Sequence, residues 1–423
     1  MSTTDERAFP HFPDDADLQV HHGPAKPAPL PVPPAPPPLS ELQEDAVESV
    51  VDWLASWREH RERQVCRLFG YAGTGKTTIA RAIARRVGGV AVFAAFTGKA
   101  SSVLKKKGCE PVSTIHSLIY APVDAVPMVD PLTGKPMLDA KGKVVYENEG
   151  KPTFELAGKN MAAATLVIID ECSMVNEELG TDLLGFGVPI LVLGDPAQLP
   201  PVSGAGYFTN AEPDILLTEV HRQAQGSGII QLATAVRQGN LRPARGRHGD
   251  DAEVLGLEQL CEIDPNSYDQ VLVGRNSTRA SWNKKMRARL GRTDRYPMPG
   301  EKLICLRNHK ATKLLNGELL TCLTCVPGEV DAPLELTVRH DSGRVLKVKA
   351  TKHCYDEVDG DPPWQGDAGL VTDFGYAITV HKSQGSQWDR VLLLDESRVF
   401  REHAARWLYT GITRAAKWLT VVR

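Results

Sequence analysis

The segment Gly70-Tyr71-Ala72-Gly73-Thr74-Gly75-Lys76-Thr77 constrains this chain more than any other. It fits the pattern Gly-x-x-x-x-Gly-Lys-Ser/Thr and lies between an apolar run, Val65 to Phe69, and a helical pattern, Thr78 to Val87. Strand, glycine turn and helix in that order make a phosphate-binding loop. Gly70, Gly73 and Gly75 let the backbone around Thr74 turn its N–H groups inward, and the helix opening at Thr77 and Thr78 aims its positive end at the anion. Lys76 reaches the outer phosphates and the Thr77 hydroxyl is a Mg²⁺ ligand. The segment therefore predicts binding of a nucleoside triphosphate.

Downstream, short β-rich apolar runs alternate with helical stretches: Val90 to Ala95, Leu166 to Ile169 and Ile190 to Leu193. That order predicts a parallel sheet flanked by helices, entered through an amphipathic helix with Val47, Val50, Val51 and Leu54 on one face. Residues 121–160 lose the apolar periodicity and read as an inserted hairpin subdomain. A second α/β unit runs from about 226 to 423, with a helix Ile229 to Arg237, a strand Val271 to Val273, a basic helix Thr278 to Leu290, a strand Val391 to Leu394, a helix Arg401 to Thr410 and a strand Leu419 to Val422. Inside it, residues 300–370 read as short strands with turns at Asn316-Gly317 and Asp341-Ser342-Gly343, a barrel-like β insert. At 423 residues and 42% apolar content, the chain is long enough for more than one core. Nine prolines between residues 23 and 39 make residues 1–38 a disordered, polyproline-like tail and a candidate docking segment for a partner protein.

The net charge of −3 and a pI near 6.5 rule out a global positive field, so any nucleic-acid contact must come from local stripes. Lys105-Lys106-Lys107 and the Lys284, Lys285, Arg287 and Arg289 helix are candidate stripes, with a solvated charged face the favoured reading of both. Of eight cysteines only Cys322 and Cys325 have metal-like spacing, without a second pair, so the thiols read as reduced. No apolar run approaches a membrane span and the N-terminus lacks a signal-peptide core, which predicts a cytoplasmic protein.

Leu166 to Ile169 ends in Asp170-Glu171, which places two carboxylates at the carboxyl end of a buried strand, where α/β sheets hold ligands. Asp170 suits a Mg²⁺ ligand and Glu171 a group that orients or deprotonates the attacking water. The next strand ends in Gly194-Asp195-Pro196-Ala197-Gln198, which puts Gln198 within reach of a γ-phosphate or its water.

In sequence order, GYAGTGKTT, AFTGKAS, STIHSLI, VIIDECSM, LVLGDPAQLPPV, LTEVHRQ, ITVHKSQGSQWD and YTGITRA resemble the motif set of superfamily 1 helicases of the RecD/Dda type. The resemblance runs from Leu39 to Arg423. It implies two RecA-like parallel-sheet P-loop NTPase domains, 39–225 and 226–423, with a hairpin subdomain near 121–160 and an SH3-like β insert near 300–370. It also implies that Gln43 reads adenine, so that ATP with Mg²⁺ is the fuel. Arg222 and Arg414 would meet the γ-phosphate from the second domain, joining Lys76, Asp170, Glu171 and Gln198 as the catalytic set. Gln387 stands where the family usually carries a glutamate for the ribose.

For single-stranded DNA the resemblance points to Thr97, Lys99, Thr114 and His116 in the first domain, and to Thr379, His381, Lys382, Ser383 and Gln384 in the second. Their hydroxyl, amide and basic groups suit sequence-independent phosphate contacts. Phe96, in a place where the family carries proline, is either a base-stacking group or packed into the sheet edge, and Trp364 and Trp388 are stacking candidates by residue type alone, with core packing the favoured reading. The expectation is a monomeric, ATP-driven DNA helicase that moves 5′ to 3′ on single strands and opens junctions, in replication, repair or recombination. The alternatives are a nucleotide-dependent DNA- or partner-binding switch that does not unwind, and an RNA-directed motor.

Overall fold

In the computed structural model, the described residues are 38–423 apart from 124–127, 131–132, 139–143, 146–152, 159–160, 162, 201–205, 220–225, 310–311, 313, 315, 330–331, 342 and 356–368. Arg222, Trp364 and the proline-rich segment lie outside the described residues.

The chain enters through α1 (Glu41–His60), whose start is fixed by a capping box: Ser40 Oγ accepts from the Gln43 amide and Gln43 Oε1 accepts from the Ser40 amide. The first sheet follows from β1 (Val65–Gly70), β2 (Ala91–Ala95) and β3 (Val112–Thr114), with α2 (Lys76–Arg86), α3 (Gly98–Lys106) and α4 (Ile115–Ile119) between and after them. After a two-stranded antiparallel hairpin, β4 (Tyr120–Val123) and β5 (Thr153–Leu156), it is completed by β6 (Leu166–Asp170), α5 (Glu177–Gly185), β7 (Ile190–Gly194) and β8 (Ile215–Leu217). Its order is β3-β2-β6-β7-β1-β8, with every pairing parallel.

Side-chain alternation explains why helices cover both faces. Leu68, Phe93, Ile168, Leu191 and Leu193 point into one core against Val47, Val50 and Leu54 of α1 and Ile79 and Ile83 of α2. Phe69, Val92, Val167, Ile169, Ile190 and Val192 point into the other, against α4 and α5. Strands apolar at every position are the signature of a sheet buried on both sides.

The second sheet contains β9 (Gly246–His248), β10 (Ala252–Leu255) and β11 (Gln270–Val273), with α6 (Gly228–Arg237) before them and α7 (Asn276–Arg289) after. The chain then leaves for a five-stranded antiparallel sheet of β12 (Lys302–Cys305), β13 (Leu319–Val326), β14 (Leu334–His340), β15 (Val345–Ala350) and β16 (Thr372–Phe374). A bridge from Ala350 to Leu370 curls this sheet around a core that includes Leu303, Leu320, Leu336 and Val338. Its turns at Gly317 and Gly343 take φ of 88° and 84°, values a glycine adopts without strain.

The chain returns through β17 (Ala377–Thr379), β18 (Trp388–Leu394), α8 (Ala404–Ile412) and β19 (Ala415–Val422), giving the order β17-β11-β18-β19-β10-β9. All pairings are parallel except the edge pair of β10 with β9. The helix expected over Arg401 to Thr410 is divided: a 3₁₀ segment, Ser397–His403, precedes α8 and is itself kinked at Arg401, at φ 46°, ψ −114°. No helix among the described residues is long and apolar enough to cross a membrane. Residues Leu39–Arg423 form one compact unit, an α/β protein built on two parallel sheets.

Candidate nucleotide pocket and nucleic-acid groove

Three neighbouring strands of the first sheet deliver their carboxyl ends to one place. The register sets Phe69 of β1 beside Gly194 of β7 and Ile169 of β6 beside Val192 of β7. The phosphate loop, the Asp170-Glu171 pair and the loop after Gly194 therefore leave the sheet side by side. They surround a cavity of about 520 Å³ lined by Gly73, Thr74, Gly75, Lys76, Thr77 and Thr78, by Asp170, Glu171 and Gln198, and by Gln387 and Arg414 of the second half. Gln387 immediately precedes β18 and Arg414 immediately precedes β19, so the second sheet meets the pocket with the amino ends of two strands.

Within the loop, Gly73 and Gly75 take φ of 83° and 82°, which points successive N–H groups to one side. Gly70 is needed for space: a Cβ there would stand 2.6 Å from Thr74 Oγ1 and 2.9 Å from Leu217 Cβ. Lys76 folds over the loop, donating to the carbonyls of Gly70 (2.6 Å) and Tyr71 (3.1 Å). A triphosphate would compete for that ammonium.

Glu171 is held at φ 54°, ψ 44°, a left-handed conformation that a non-glycine residue adopts at a cost and that recurs where a side chain must be aimed at a site. Asp170 Oδ1 accepts from the Glu171 amide at 2.9 Å. Burial pushes both carboxyls above their ordinary values, opposed by Lys76 beside Asp170 and by Arg414 beside Glu171. A recessed pair of hard oxygen donors next to the Thr77 hydroxyl fits Mg²⁺, which takes few protein ligands and shares phosphate oxygens. Among the described residues there is no cluster of three or more His, Cys, Asp or Glu side chains able to enclose a metal by themselves.

Arg414 is 5% exposed, its guanidinium fixed by the Thr410 carbonyl (3.0 Å), the Ser386 carbonyl (3.2 Å) and Thr413 Oγ1 (3.1 Å). The Gln198 Oε1 atom is buried without a hydrogen-bond partner. A buried orphan acceptor facing a cleft awaits a donor such as a water.

A second cavity, of about 580 Å³, opens where β2, β3, β11 and β17 end. Phe96, Thr97, Lys99, Thr114 and His116 line it from the first half, and Thr379, His381, Lys382 and Gln384 from the second. The threonines serve as caps: Thr97 Oγ1 accepts from the Ala100 amide and Thr114 Oγ1 from the Ser117 amide, both at 3.2 Å. The ammonium of Lys99 lies 4.2 Å over the Trp388 ring, and burial pulls its pKa down to about 8. Burial also lowers His116 and His381, which favours neutral rings that act by hydrogen bonding and packing. The Phe96 ring meets His116 edge-on at 5.9 Å and packs against the first-sheet core.

The profile of the AAA domain matches residues 39–256, more than half of the chain, and that of the UvrD-like helicase C-terminal domain matches residues 374–422. The chain belongs to the AAA-domain family. The ordered motifs and the second match make it similar to superfamily 1 helicases of the RecD type. It is 29% identical over 401 residues to the ATP-dependent RecD2 DNA helicase of Deinococcus radiodurans, covering 89% of this chain and 48% of that protein. It is 26% identical over 390 residues to the RecBCD enzyme subunit RecD of Mycolicibacterium smegmatis, covering 84% and 67%. The chain thus spans about half the length of the first of these relatives. The crystal structure of Bacteroides Pif1 bound to ssDNA shares the fold, with a TM-score of 0.52 and 19% identity over 90% of this chain and 92% of that one.

Within this fold, several expected site residues stand elsewhere. Gln43 does not line the nucleotide pocket; its Nε2 donates to the Thr74 carbonyl at 3.1 Å and so braces the phosphate loop from behind. Ser383 is fully buried and its Oγ donates to the Val380 carbonyl at 2.7 Å, closing a turn below the groove. Arg287 is not a free positive charge on the basic helix, because it pairs with the buried Glu301 at 2.7 Å and tethers α7 to the β insert. Arg289 donates to the Ile263 carbonyl at 2.9 Å.

Other lining residues carried no signal in the sequence. Arg81 faces the nucleotide pocket, and Met174, Asn276, Asn308 and Asn316 face the groove; Lys107, expected in a nucleic-acid stripe, faces the nucleotide pocket instead. Lys382 Nζ donates to Asn316 Oδ1 at 3.2 Å, which fastens the β insert to the groove's second wall. Ser386 lines both cavities.

Proposed function

We propose that this chain is an ATP-driven motor that moves 5′ to 3′ along single-stranded DNA and separates duplex at junctions. The observation that carries this reading is the segment Gln384–Trp388. Gln384 lines the groove, Ser386 lines both cavities, Gln387 lines the nucleotide pocket and Trp388 holds Lys99 of the groove. One stretch of backbone is a wall of both sites, so movement at either must be felt at the other.

In the proposed reaction, the loop amides and Lys76 bind the β- and γ-phosphates, with Lys76 leaving the Gly70 and Tyr71 carbonyls to do so. Thr77 and Asp170 would hold Mg²⁺, which would supply positive charge to offset that of the phosphates. Glu171 takes the proton of the attacking water while Gln198 Oε1 accepts a hydrogen bond from it. Arg414, and by family resemblance Arg222, balance the charge that develops on the transferring phosphoryl group, a contribution of ~10³ to 10⁵ in rate for arginine fingers. Gln43 acts on adenine only if its bond to Thr74 is exchanged, and Gln387 meets the ribose as a neutral amide.

In the groove, Thr97, Lys99, Thr114 and His116 hold the strand on one side and Thr379, His381, Lys382 and Gln384 on the other, with Phe96 against a base. Residues 39–225 and 226–423 alternate their grip as the nucleotide cleft shuts and opens, and the hairpin arm within 121–160 splits the duplex. The motor acts as a monomer in the cytoplasm, with the proline-rich segment as a docking site for a partner protein. Support comes from the RecD2 relative, named as an ATP-dependent DNA helicase, and from a structural neighbour described with bound ssDNA.

The test is strand separation with ATP and Mg²⁺ on duplexes carrying either a 5′ or a 3′ single-stranded tail, with Lys76→Ala as control. Opening of the 5′-tailed duplex alone, abolished in the variant, is the expected result. DNA-stimulated hydrolysis with neither duplex opened would replace the motor with a switch.

A further inference from the structure

Tyr409, on α8 of the second half, has 2% of its surface exposed, and its ring is packed in the second-sheet core. Its hydroxyl nonetheless leaves that core for the first half. It accepts from the Ala72 amide of the phosphate loop at 2.9 Å and donates to Asp195 Oδ2 at 2.7 Å. Asp195 is itself 2% exposed and shapes the loop after β7: its Oδ1 accepts from the Ala197 amide at 3.0 Å and its carbonyl from the Gln198 amide at 3.1 Å. The next residue of α8 continues the seam, since Thr410 Oγ1 accepts from the Leu199 amide at 3.0 Å. On either side of this clasp stand the two pocket groups Gln198 and Arg414.

A phenol supplies one donor and one acceptor from a single atom. Here it joins an N–H of the loop that holds phosphate to a carboxylate of the loop that carries the orphan Gln198 carbonyl. Ala72 lines the nucleotide pocket but Tyr409 and Asp195 do not, so the effect of these two side chains on chemistry must pass through the two loops.

We propose that Tyr409 is a positioning residue for ATP hydrolysis, setting the Gln198 carbonyl in register with the phosphate loop whenever α8 is docked on the first half. The inference rests on the ATPase reading given above. Because the clasp comes from the second half, it ties placement of the water-orienting amide to closure of the cleft, on the same helix that positions Arg414. Hydrolysis is then withheld while the cleft is open, even with nucleotide on the loop.

Tyr409→Phe in the full chain keeps the ring and removes the clasp. With saturating single-stranded DNA, kcat for ATP hydrolysis should fall about tenfold, equivalent to ~1.4 kcal/mol of barrier, with KM for ATP changed less than about twofold. Asp195→Asn, which keeps the side-chain shape, should show the same split, and the double variant should be no slower than the slower single one. If Tyr409→Phe is poorly folded, the split in Asp195→Asn decides.

An unchanged kcat, or a raised KM with unchanged kcat, overturns the proposal. So does a lowered melting temperature with full activity at permissive temperature, which marks the clasp as structural support alone. Wild-type protein that hydrolyses no ATP in the presence of DNA would instead overturn the parent reading.

Discussion

At Asp170 the fold holds a carboxyl against its own preference. Burial raises its pKa, so ionising it costs the folded protein stability at neutral pH that the unfolded chain does not lose. For a group raised on folding, the stabilising contribution is complete below the unfolded value, about 3.9 for aspartate, and is lost as pH rises through the folded value. Asp170→Asn should therefore melt above wild type near pH 7 without ligand, and the gap should close on acidification toward pH 4. Its ATPase should fall at least ~100-fold, because the amide cannot supply the anionic ligand. Thermal melts across pH settle the first part; a variant that melts no higher than wild type at neutral pH would mean that Lys76 and Lys107 already offset the burial. Glu171 shares the strain, with the added cost of its left-handed backbone. Such costs are characteristic of sites kept ready for a charged ligand.

Among the elements, the hairpin of β4 and β5 joins the first-sheet core at its base, where Tyr120 packs against it. Its pairing runs from Tyr120 with Leu156 to Val123 with Thr153. Beyond that, bridges join Val129 to Pro136 and Leu138 to Val144, with Val129 and Leu138 52% and 60% exposed. Exposed apolar side chains on a projecting arm are a liability unless they meet something. In the proposed motor they meet the base pair at the junction. Replacing residues 124–152 with Asn-Gly retains the β4–β5 ladder through a two-residue turn. DNA-stimulated ATPase should stay within about twofold while unwinding drops at least tenfold, and parallel loss of both would remove the arm's assigned role. The elements also explain what could be read from sequence. β6 and β7 are apolar at consecutive positions because both of their faces are buried, and each ends at a charged or glycine residue, so the strands and the groups following them were legible. Asn308 and Asn316 were not, because two polar residues in turns give no sign of which cavity the folded insert will bring them to. Ser383 and Arg287 misled for a related reason: a hydroxyl or guanidinium that fits a ligand fits a buried carbonyl or carboxylate equally well.

Across the whole molecule the nucleotide pocket and the groove are separated by little more than residues 384–387. Gln384 Nε2 donates to the Leu199 carbonyl at 3.0 Å and the Ser386 carbonyl accepts from Arg414, so this wall is tied to the loop behind Gln198 and to the arginine facing Glu171. Between them Gly385 takes φ 70°, and a Cβ there would come within 2.9 Å of Thr97 Oγ1 and 3.0 Å of Ala100 Cβ. Glycine at this position lets the second half approach the groove wall of the first. If the wall transmits between sites, the factor by which single-stranded DNA changes affinity for a non-hydrolysable ATP analogue must equal the factor by which the analogue changes affinity for DNA. Couplings of this kind span roughly 5- to 150-fold. In Gly385→Ala, where both the backbone conformation and the close approach are disfavoured, both factors should shrink together toward one. Equilibrium titrations of each ligand with and without the other measure all four constants. A variant that kept the wild-type factor would show that the halves communicate by another route, such as the hydrogen-bonded seam that ties Tyr409 and Thr410 of α8 to Ala72 and Leu199.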